Sequence, residues 1–222
     1  MKALWAALAV ATASFVTPSH AGMITLTEGD FAIAPLSSEA TGTGSSTVTT
    51  ESPGGNPGAF RQIALRVGVF QSEAYFETVA GVTFNPSIQG AVLSAILSYD
   101  VWRVATSNAG ATQIARGVAA KQDGVLYKTF RGTTTSTSPA AFTAPDLVTL
   151  FPAINWASGG LIEFGFGDGV SSGRTPFTLT GGYDNLQVEI EFDETTVPVP
   201  ASAWLIAGGL GLLVARRKAI WR

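Results

Sequence analysis

Carboxylates are the main catalytic candidates in this sequence, because the other usual groups are scarce. The chain has no cysteine and one histidine, His20, so thiol nucleophiles, disulfides and thiolate metal sites are excluded. Glu189 and Glu191 are two residues apart and would lie about 7 Å apart on one face of a strand. A glycosidase uses two carboxylates across a cleft at a comparable separation. Here both occupy the polar side of an alternating segment, which is typical of solvent exposure, and we expect no catalytic residue.

The N-terminal segment, residues 1–21, has the pattern of a secretory signal peptide. A basic second residue precedes an apolar run, and the segment ends in Ser-His-Ala, with small residues where a signal peptidase requires them. We expect signal peptidase to cleave between Ala21 and Gly22. The exported domain then has no histidine, which excludes Ser-His-Asp hydrolysis and histidine-ligated zinc or iron. A permanent N-terminal anchor is the alternative, although the apolar run is short for one.

The C-terminal segment, residues 197–222, combines an extended motif, an apolar stretch and a basic tail at 216–222. Residues 201–215 carry no charge, but a membrane-spanning helix normally needs about 20 apolar residues. We therefore expect a helix that crosses a membrane in a tilted or transient way, with an ordinary C-terminal anchor as the alternative. The basic cluster that follows would stay on the cytoplasmic side; it consists of Arg216, Arg217 and Lys218.

The order of these three elements resembles the PEP-CTERM class of sorting signals, in its VPLPA-type variant. The motif consists of Val197, Pro198, Val199, Pro200 and Ala201. Val199 stands where leucine is usual. The resemblance implies recognition by an exosortase-type transpeptidase in the inner membrane of a Gram-negative bacterium, cleavage near the Pro-Ala motif, and transfer of the protein to the cell surface or extracellular matrix. It also implies an extracellular polysaccharide in the same organism.

The region between the two processing segments, residues 22–196, suits one domain with its own core. It carries eight basic and all sixteen acidic residues of the chain. This acidic balance argues against nucleic acid as a partner, because nucleic acid requires a basic face. Neutral glycans and cations remain compatible with it.

The central region is predicted to be all-β, a β-sandwich of the jelly-roll type. Apolar residues alternate with polar ones most clearly in 186–192 and 63–69. Residues 40–59 are rich in Thr, Ser and Gly and favour a flexible loop, although 54–61 is a dense turn signal that leads into a strand. A short helix is expected at 145–151. The predicted strands are 23–27, 63–70, 75–84, 92–105, 112–119, 125–130, 161–166, 177–180 and 186–192.

Several turn-like pieces resemble those of exported bacterial jelly-roll domains related to carbohydrate-binding modules and concanavalin-like lectins. They are residues 28–31, 54–61, 84–91, 162–166 and 182–186. The resemblance implies a structural Ca²⁺ held by Asp30 (or Glu28) and Asp184, with backbone carbonyls completing the coordination. The alternative is that these carboxylates bond the backbone of turns, which is also our expectation for Asp168.

Aromatic platforms would carry glycan binding in such a domain. Trp156, in a loop-like stretch, and Tyr183 are the candidates. Two hypotheses follow. The first is an exported surface or matrix protein whose sandwich binds glycan or serves as a structural unit, without catalysis. The second is an exported carboxylate-based polysaccharide hydrolase or lyase, although the acidic signature of concanavalin-like glycosidases, two Glu bracketing an Asp within a strand, is missing.

Overall fold

The computed structural model of the 222-residue chain describes residues 21–29, 31, 35–55 and 58–194. The predicted signal peptide up to residue 20, the sorting motif, the apolar stretch and the basic cluster lie outside the described residues, as does Asp30. Within the described part, no helix is long and apolar enough to cross a membrane. Residues 20–194 form one compact unit.

This unit is built from two antiparallel sheets. Sheet A runs in the order β3-β4-β11-β6-β9, with β1 also paired to β11, and sheet B runs β2-β5-β10-β7-β8. The strands are β1 Ala21–Glu28, β2 Ser37–Gly42, β3 Ser45–Gly55, β4 Gly58–Val67, β5 Ser72–Phe84, β6 Val92–Thr106, β7 Ile114–Gln122, β8 Val125–Thr134, β9 Ala140–Thr143, β10 Ile162–Ser171 and β11 Phe177–Asp193. Two single-turn helices, α1 Pro86–Gln89 and α2 Leu147–Leu150, lie in the connections.

The core lies between the sheets and follows the period-2 alternation of the strands. In β11, Leu186, Val188 and Ile190 are fully buried, while Glu189 and Glu191 are exposed. In β10, Phe164 and Phe166 are fully buried. Because both sheets bury one face each, the apolar residues of facing strands close a single core. The predicted all-β sandwich is confirmed.

The predicted break between the last two strands was wrong. The sequence suggested separate strands at 177–180 and 186–192, but β11 is continuous. A register shift between Asp184 and Gln187 in its pairing with β6, with Asn185 at φ 52°, absorbs the irregularity. Asparagine tolerates this left-handed conformation better than most residues, so the chain bulges there and does not reverse.

Residues 40–59 are also not a flexible loop. Most of this stretch forms β3, which pairs with β4 from Ser45↔Arg66 to Gly55↔Gly58. The strand is polar because it lies at the edge of sheet A, where one face is solvated and Thr and Ser are well tolerated. β4 begins at Gly58, so the prediction that 54–61 leads into a strand is confirmed, while residues 56 and 57 lie outside the described part.

The short helix was predicted close to its observed place. Asp146 caps α2, since its Oδ1 accepts hydrogen bonds from Val148 N at 3.1 Å and from Ala95 N at 3.0 Å. The second bond joins the helix to the start of β6. A capping side chain that also bonds a neighbouring strand fixes the position of this connection on the core.

Candidate functional site

The outer face of sheet B has a central area without side chains larger than a methyl group. In β10, large residues point into the core while Gly165, Gly167 and Gly169 alternate with them on the outer side. In β7 the paired outer positions are equally small, since Gly117 lies opposite Gly167 and Ala119 opposite Gly165. We call this area the glycine floor.

Two phenylalanine rings lie on the glycine floor. A Cβ at Gly167 would be 2.3 Å from Phe76 Cδ1, and one at Gly169 would be 2.4 Å from Phe130 Cζ. The ring centroids of Phe76 and Phe130 are 5.0 Å apart. Phe76 is 2% exposed, whereas Phe130 is 41% exposed. The floor therefore seats one buried ring and one ring that still faces solvent.

The outer face of sheet B is concave. Glu39 on β2 and Lys128 on β8 form a salt bridge, although these are the first and last strands of a five-stranded sheet. In a flat sheet those strands would be about 19 Å apart, too far for one ion pair. Lys128 Nζ also lies 5.5 Å above the Phe76 ring. The pair, hereafter the Glu39–Lys128 strap, thus bridges the concave face above Phe76.

An open groove of about 1050 Å³ lies on one side of the strap. Its floor includes Ala74, Ala115 and Gly169, and Phe130 forms part of its wall. The loops between β6 and β7 and between β10 and β11 complete the rim. The lining includes hydrogen-bonding side chains on several elements, among them Thr41, Asn108, Gln113, Thr133 and Arg174.

The groove carries little charge. Among its lining residues, Glu73 is the one carboxylate and Arg174 the one cation. Glu73 is 4% exposed, and its Oε2 accepts a hydrogen bond from Gly44 N at 3.1 Å. Its carboxylate is thus engaged in structure, while Arg174 is exposed. This lining suits hydroxyl-rich ligands better than highly charged ones.

Beyond the strap, the concave face is filled by a polar cluster. Glu163 Oε2 accepts hydrogen bonds from Thr78 Oγ1 at 2.6 Å and Ser37 Oγ at 3.2 Å. Lys121 Nζ lies 3.9 Å from the same oxygen. These groups satisfy one another across β2, β5, β10 and β7, so the open part of the concave face is the groove beside Phe130.

Two ionisable clusters are buried between the sheets. Glu77 is fully buried and bonded to Arg61 Nε at 2.8 Å and to the Tyr75 hydroxyl at 3.0 Å. Burial raises the pKa of Glu77, while the nearby Arg61 guanidinium opposes the shift. Burial, with the Glu77 charge, raises the pKa of Tyr75 to about 12. The cluster ties β4 to β5 across the core.

Asp168 is the centre of the second cluster. It was expected in a turn, but the structure places it within β10, fully buried and pointing into the core. Its Oδ1 accepts a hydrogen bond from Gly169 N at 2.6 Å. Its Oδ2 and the Tyr183 hydroxyl lie 2.8 and 3.1 Å from where a Cβ on Gly181 would be, yet neither atom has a well-aligned partner among the described residues. Burial raises the pKa of Asp168 to about 7, against the stabilising effect of the nearby Tyr183 hydroxyl.

Neither predicted glycan platform is available to a ligand. Trp156 is 7% exposed, stacks on Phe164 at 6.4 Å and donates from Nε1 to Phe151 O at 3.0 Å. Tyr183 is fully buried and stacks on Phe166 at 4.8 Å. The loop that carries Trp156 packs against the core, although its Ser- and Gly-rich sequence suggests an exposed loop. The platform prediction is wrong for both residues.

The predicted calcium ligands are only partly described. Asp184 is fully buried, and its Oδ1 accepts a hydrogen bond from Asn185 N at 2.8 Å. Asn185 Nδ2 in turn donates to Asp100 Oδ2 at 2.9 Å. Within the described residues, no group of three or more His, Cys, Asp or Glu side chains could hold a metal ion. Asp184 and Asp100 offer hard oxygen donors of the type calcium prefers, and the site stays a prediction that depends on Asp30.

The remaining predicted positions lie away from the groove. Glu189 and Glu191 are exposed on β11, opposite Thr25 and Met23 of β1. The predicted cleavage point between Ala21 and Gly22 falls at the first paired positions of β1. Among the predicted site residues that the structure describes, none lies in the groove.

A sequence signal for the groove did exist. Gly165, Gly167 and Gly169 repeat with period 2 between Phe164, Phe166 and Asp168. Glycine at every second position of a strand leaves one face bare. The exposure of Phe130, in contrast, could not be inferred, because it depends on the curvature of sheet B.

Among solved structures, the chain has distant similarity to carbohydrate-binding modules. A family 11 module from Clostridium thermocellum, in complex with a β-1,3-1,4-mixed-linked tetrasaccharide, is 12% identical, with 74% of this chain and 94% of that chain covered and a TM-score of 0.40. A C-terminal family 22 module from Clostridium thermocellum is 11% identical over 76% of this chain and 92% of that one, with a TM-score of 0.39. A carbohydrate-binding module of the β-sandwich superfamily is 9% identical over 72% of this chain and 60% of that one, with a TM-score of 0.44. Neither a protein-family model nor a curated protein matches the sequence. Similarity of this degree assigns no activity to the chain, whose two-sheet architecture follows from its own strand pairing.

Proposed function

We propose that the β-sandwich binds a glycan chain, without catalysis, in the groove beside Phe130. The observation that carries this proposal is the half-exposed Phe130 ring, held on the glycine floor at the wall of a groove lined by neutral polar side chains. Sugar rings stack their C–H faces on aromatic rings while their hydroxyls exchange hydrogen bonds with neighbouring polar groups. The groove offers both kinds of contact in one place.

The lining supports binding over turnover. A glycosidase needs two carboxylates across its cleft, and Glu73, the one carboxylate among the lining residues, is engaged with Gly44 N. No Lys, Tyr or His belongs to this lining, so a base for polysaccharide lyase chemistry is also missing from it. Among the described residues, the groove lining thus lacks the catalytic groups that the hydrolase or lyase alternative requires.

The terminal segments support an extracellular location. In the proposed route, signal peptidase cleaves between Ala21 and Gly22, the apolar stretch 201–215 holds the chain transiently in the inner membrane, and the motif 197–201 is presented to an exosortase-type transpeptidase. The sandwich then reaches the cell surface or extracellular matrix of a Gram-negative bacterium, where polysaccharide is its partner. This part of the proposal rests on the sequence pattern of the two termini.

Affinity electrophoresis tests the binding proposal. The folded unit of residues 20–194 is run through gels containing barley β-glucan, xylan, galactan, agarose or alginate, beside Phe130→Ala and, as a matched control, Val125→Ala. Val125 is an exposed apolar residue at the start of the same strand. We expect retardation of the wild type and the control by at least one polysaccharide, and loss of retardation for Phe130→Ala. Equal mobility of all three proteins in every gel, or release of reducing sugars by the wild type, would contradict the proposal.

A further inference from the structure

The turn between β4 and β5 presents an exposed aromatic ring in an unfavourable backbone conformation. Phe70 has φ 52° and is 74% exposed. A bulky residue at positive φ is uncommon, because its Cβ crowds the backbone. Strain of this kind persists only where the surroundings impose it, and it concentrates at functional sites.

A dense hydrogen-bond network imposes the conformation of this turn. Gly68 N donates to Gln71 Oε1 at 2.6 Å, and Phe70 N donates to Gly173 O at 2.7 Å. Gln71 and Ser172 are joined twice, through Gln71 N to Ser172 Oγ at 3.1 Å and Ser172 N to Gln71 O at 2.8 Å. Ser172 Oγ also donates to Gly68 O. The turn is thus hydrogen-bonded to the loop between β10 and β11, and in this conformation the Phe70 ring faces solvent.

The turn adjoins the groove. Gly173, whose carbonyl accepts the Phe70 N–H, is a lining residue of the groove, as are Arg174 and Ser72. Phe70 therefore stands at the rim, beyond the end of the groove floor. The chain around it is polar or small apart from Val69, which is 51% exposed.

We infer that Phe70 is a second stacking platform, which contacts a sugar residue after the chain leaves the groove past Gly173. The inference rests on the proposed glycan binding and extends it, because a site with two separated platforms prefers long chains to short ones. A glycan suits this ring better than a protein partner does, since protein interfaces are centred on a contiguous apolar patch. One ring and the adjacent Val69, surrounded by glycine, serine, glutamine and arginine residues, are too small for such a patch.

The inference predicts that Phe70→Asn changes thermal stability and glycan affinity in opposite directions. Phe70→Asn places in the turn a residue that tolerates positive φ, and it removes exposed apolar surface. The variant should therefore unfold at an equal or higher temperature than the wild type. Its affinity for long oligosaccharides should fall by roughly three- to tenfold, the value of one aromatic contact. A purely structural role for Phe70 would move both quantities in the same direction.

The test is a titration calorimetry series on the folded unit of residues 20–194, with trisaccharides and octasaccharides from the five polysaccharides named above. Four proteins are compared: the wild type, Phe70→Asn, Phe130→Ala, and Val125→Ala as the control. We expect Phe130→Ala to weaken binding of both lengths, and Phe70→Asn to weaken octasaccharide binding alone. Unchanged octasaccharide affinity in Phe70→Asn, with Phe130→Ala still defective, overturns this inference and leaves the proposed function standing. No binding by the wild type overturns both.

Light scattering without glycan tests whether the Phe70 ring contacts a second copy of the chain instead of a sugar. We expect all four proteins to scatter as monomers at every concentration used. A concentration-dependent dimer of the wild type that Phe70→Asn abolishes would assign the ring to self-association and overturn the inference.

Discussion

Replacement of Asp168 by asparagine should stabilise the protein, and increasingly so as the pH rises. Asp168 is fully buried in β10, its Oδ1 accepts the Gly169 N–H, and its Oδ2 lacks a well-aligned partner. Asparagine keeps the acceptor for Gly169 and offers its amide to the Tyr183 hydroxyl oxygen. It cannot ionise, so it removes the cost of a buried charge without creating a cavity.

The size of the effect follows from the shift in pKa. The folded pKa of Asp168 is raised from 3.8 to about 7. Below about pH 4 the carboxyl is neutral in both the folded and the unfolded chain, and the linkage effect is absent. Between about pH 4 and pH 7 the unfolded chain ionises while the folded protein stays neutral, so stability falls as pH rises. At about 1.4 kcal/mol per pKa unit, the cost is about 2 kcal/mol at pH 5 and about 4 kcal/mol at pH 8.

Urea unfolding of the wild type and Asp168→Asn at these two pH values measures the effect. The difference in free energy of unfolding between the two proteins should grow by about 2–3 kcal/mol from pH 5 to pH 8. Glu191→Gln, which removes an exposed carboxyl on β11, is measured beside them as a control for the loss of a surface charge. A stability difference between wild type and Asp168→Asn that is the same at both pH values would refute the assignment of a raised pKa to Asp168.

Four further predictions concern the sandwich and its concave face. Glu77→Gln should lower the free energy of unfolding by about 3–5 kcal/mol in chemical denaturation, because it leaves the buried guanidinium of its ion pair uncompensated; a loss below 1 kcal/mol would contradict this. Gly167→Ala should cost about 1–3 kcal/mol in the same assay, since the added Cβ would lie 2.3 Å from the Phe76 ring, and an unaltered midpoint would argue against a packed floor. Lys128→Met should change the free energy of unfolding by less than about 1 kcal/mol, because the strap is partly exposed. Added salt screens an exposed ion pair, so the denaturation midpoint should depend less on salt concentration in the variant than in the wild type. An equal salt dependence in both proteins would contradict a contribution of the strap to stability. If calcium binds at Asp184, added Ca²⁺ should raise the unfolding temperature of the wild type and not of Asp184→Asn, whereas identical scans with Ca²⁺ and with chelator would count against the site.

The β11 strand shows what the alternation of apolar and polar residues could predict. The alternation of Leu186, Val188 and Ile190 with Glu189 and Glu191 predicted a strand with one buried face, and the structure confirms it. Continuity of that strand through Asp184 and Asn185 was missed, because turn-forming residues look the same in a bulge as in a reversal. Only pairing with β6 on one side and with β4 and β1 on the other decides between them.

The aromatic residues show that local sequence could not predict which rings are exposed. Trp156 lies in a Ser- and Gly-rich stretch and yet is buried, while Phe130 lies in a strand and yet is 41% exposed. Local sequence describes which residues flank a ring, whereas exposure depends on what distant segments place on top of it. Phe164 and Phe151 cover Trp156, and the curvature of sheet B leaves Phe130 at an open groove.

The sequence by itself determined the class of this protein. Period-2 alternation specified strands with one apolar face, which must be buried against another sheet, and the absence of cysteine together with a single histidine in the N-terminal segment narrowed the available chemistry. Tertiary structure alone decided which surface is available to a ligand. The concavity beneath the Glu39–Lys128 strap and the attachment of the Phe70 turn to Gly173 both arise from contacts between residues far apart in the chain. Such contacts depend on how strands pair and curve, and no local pattern of residues encodes that geometry.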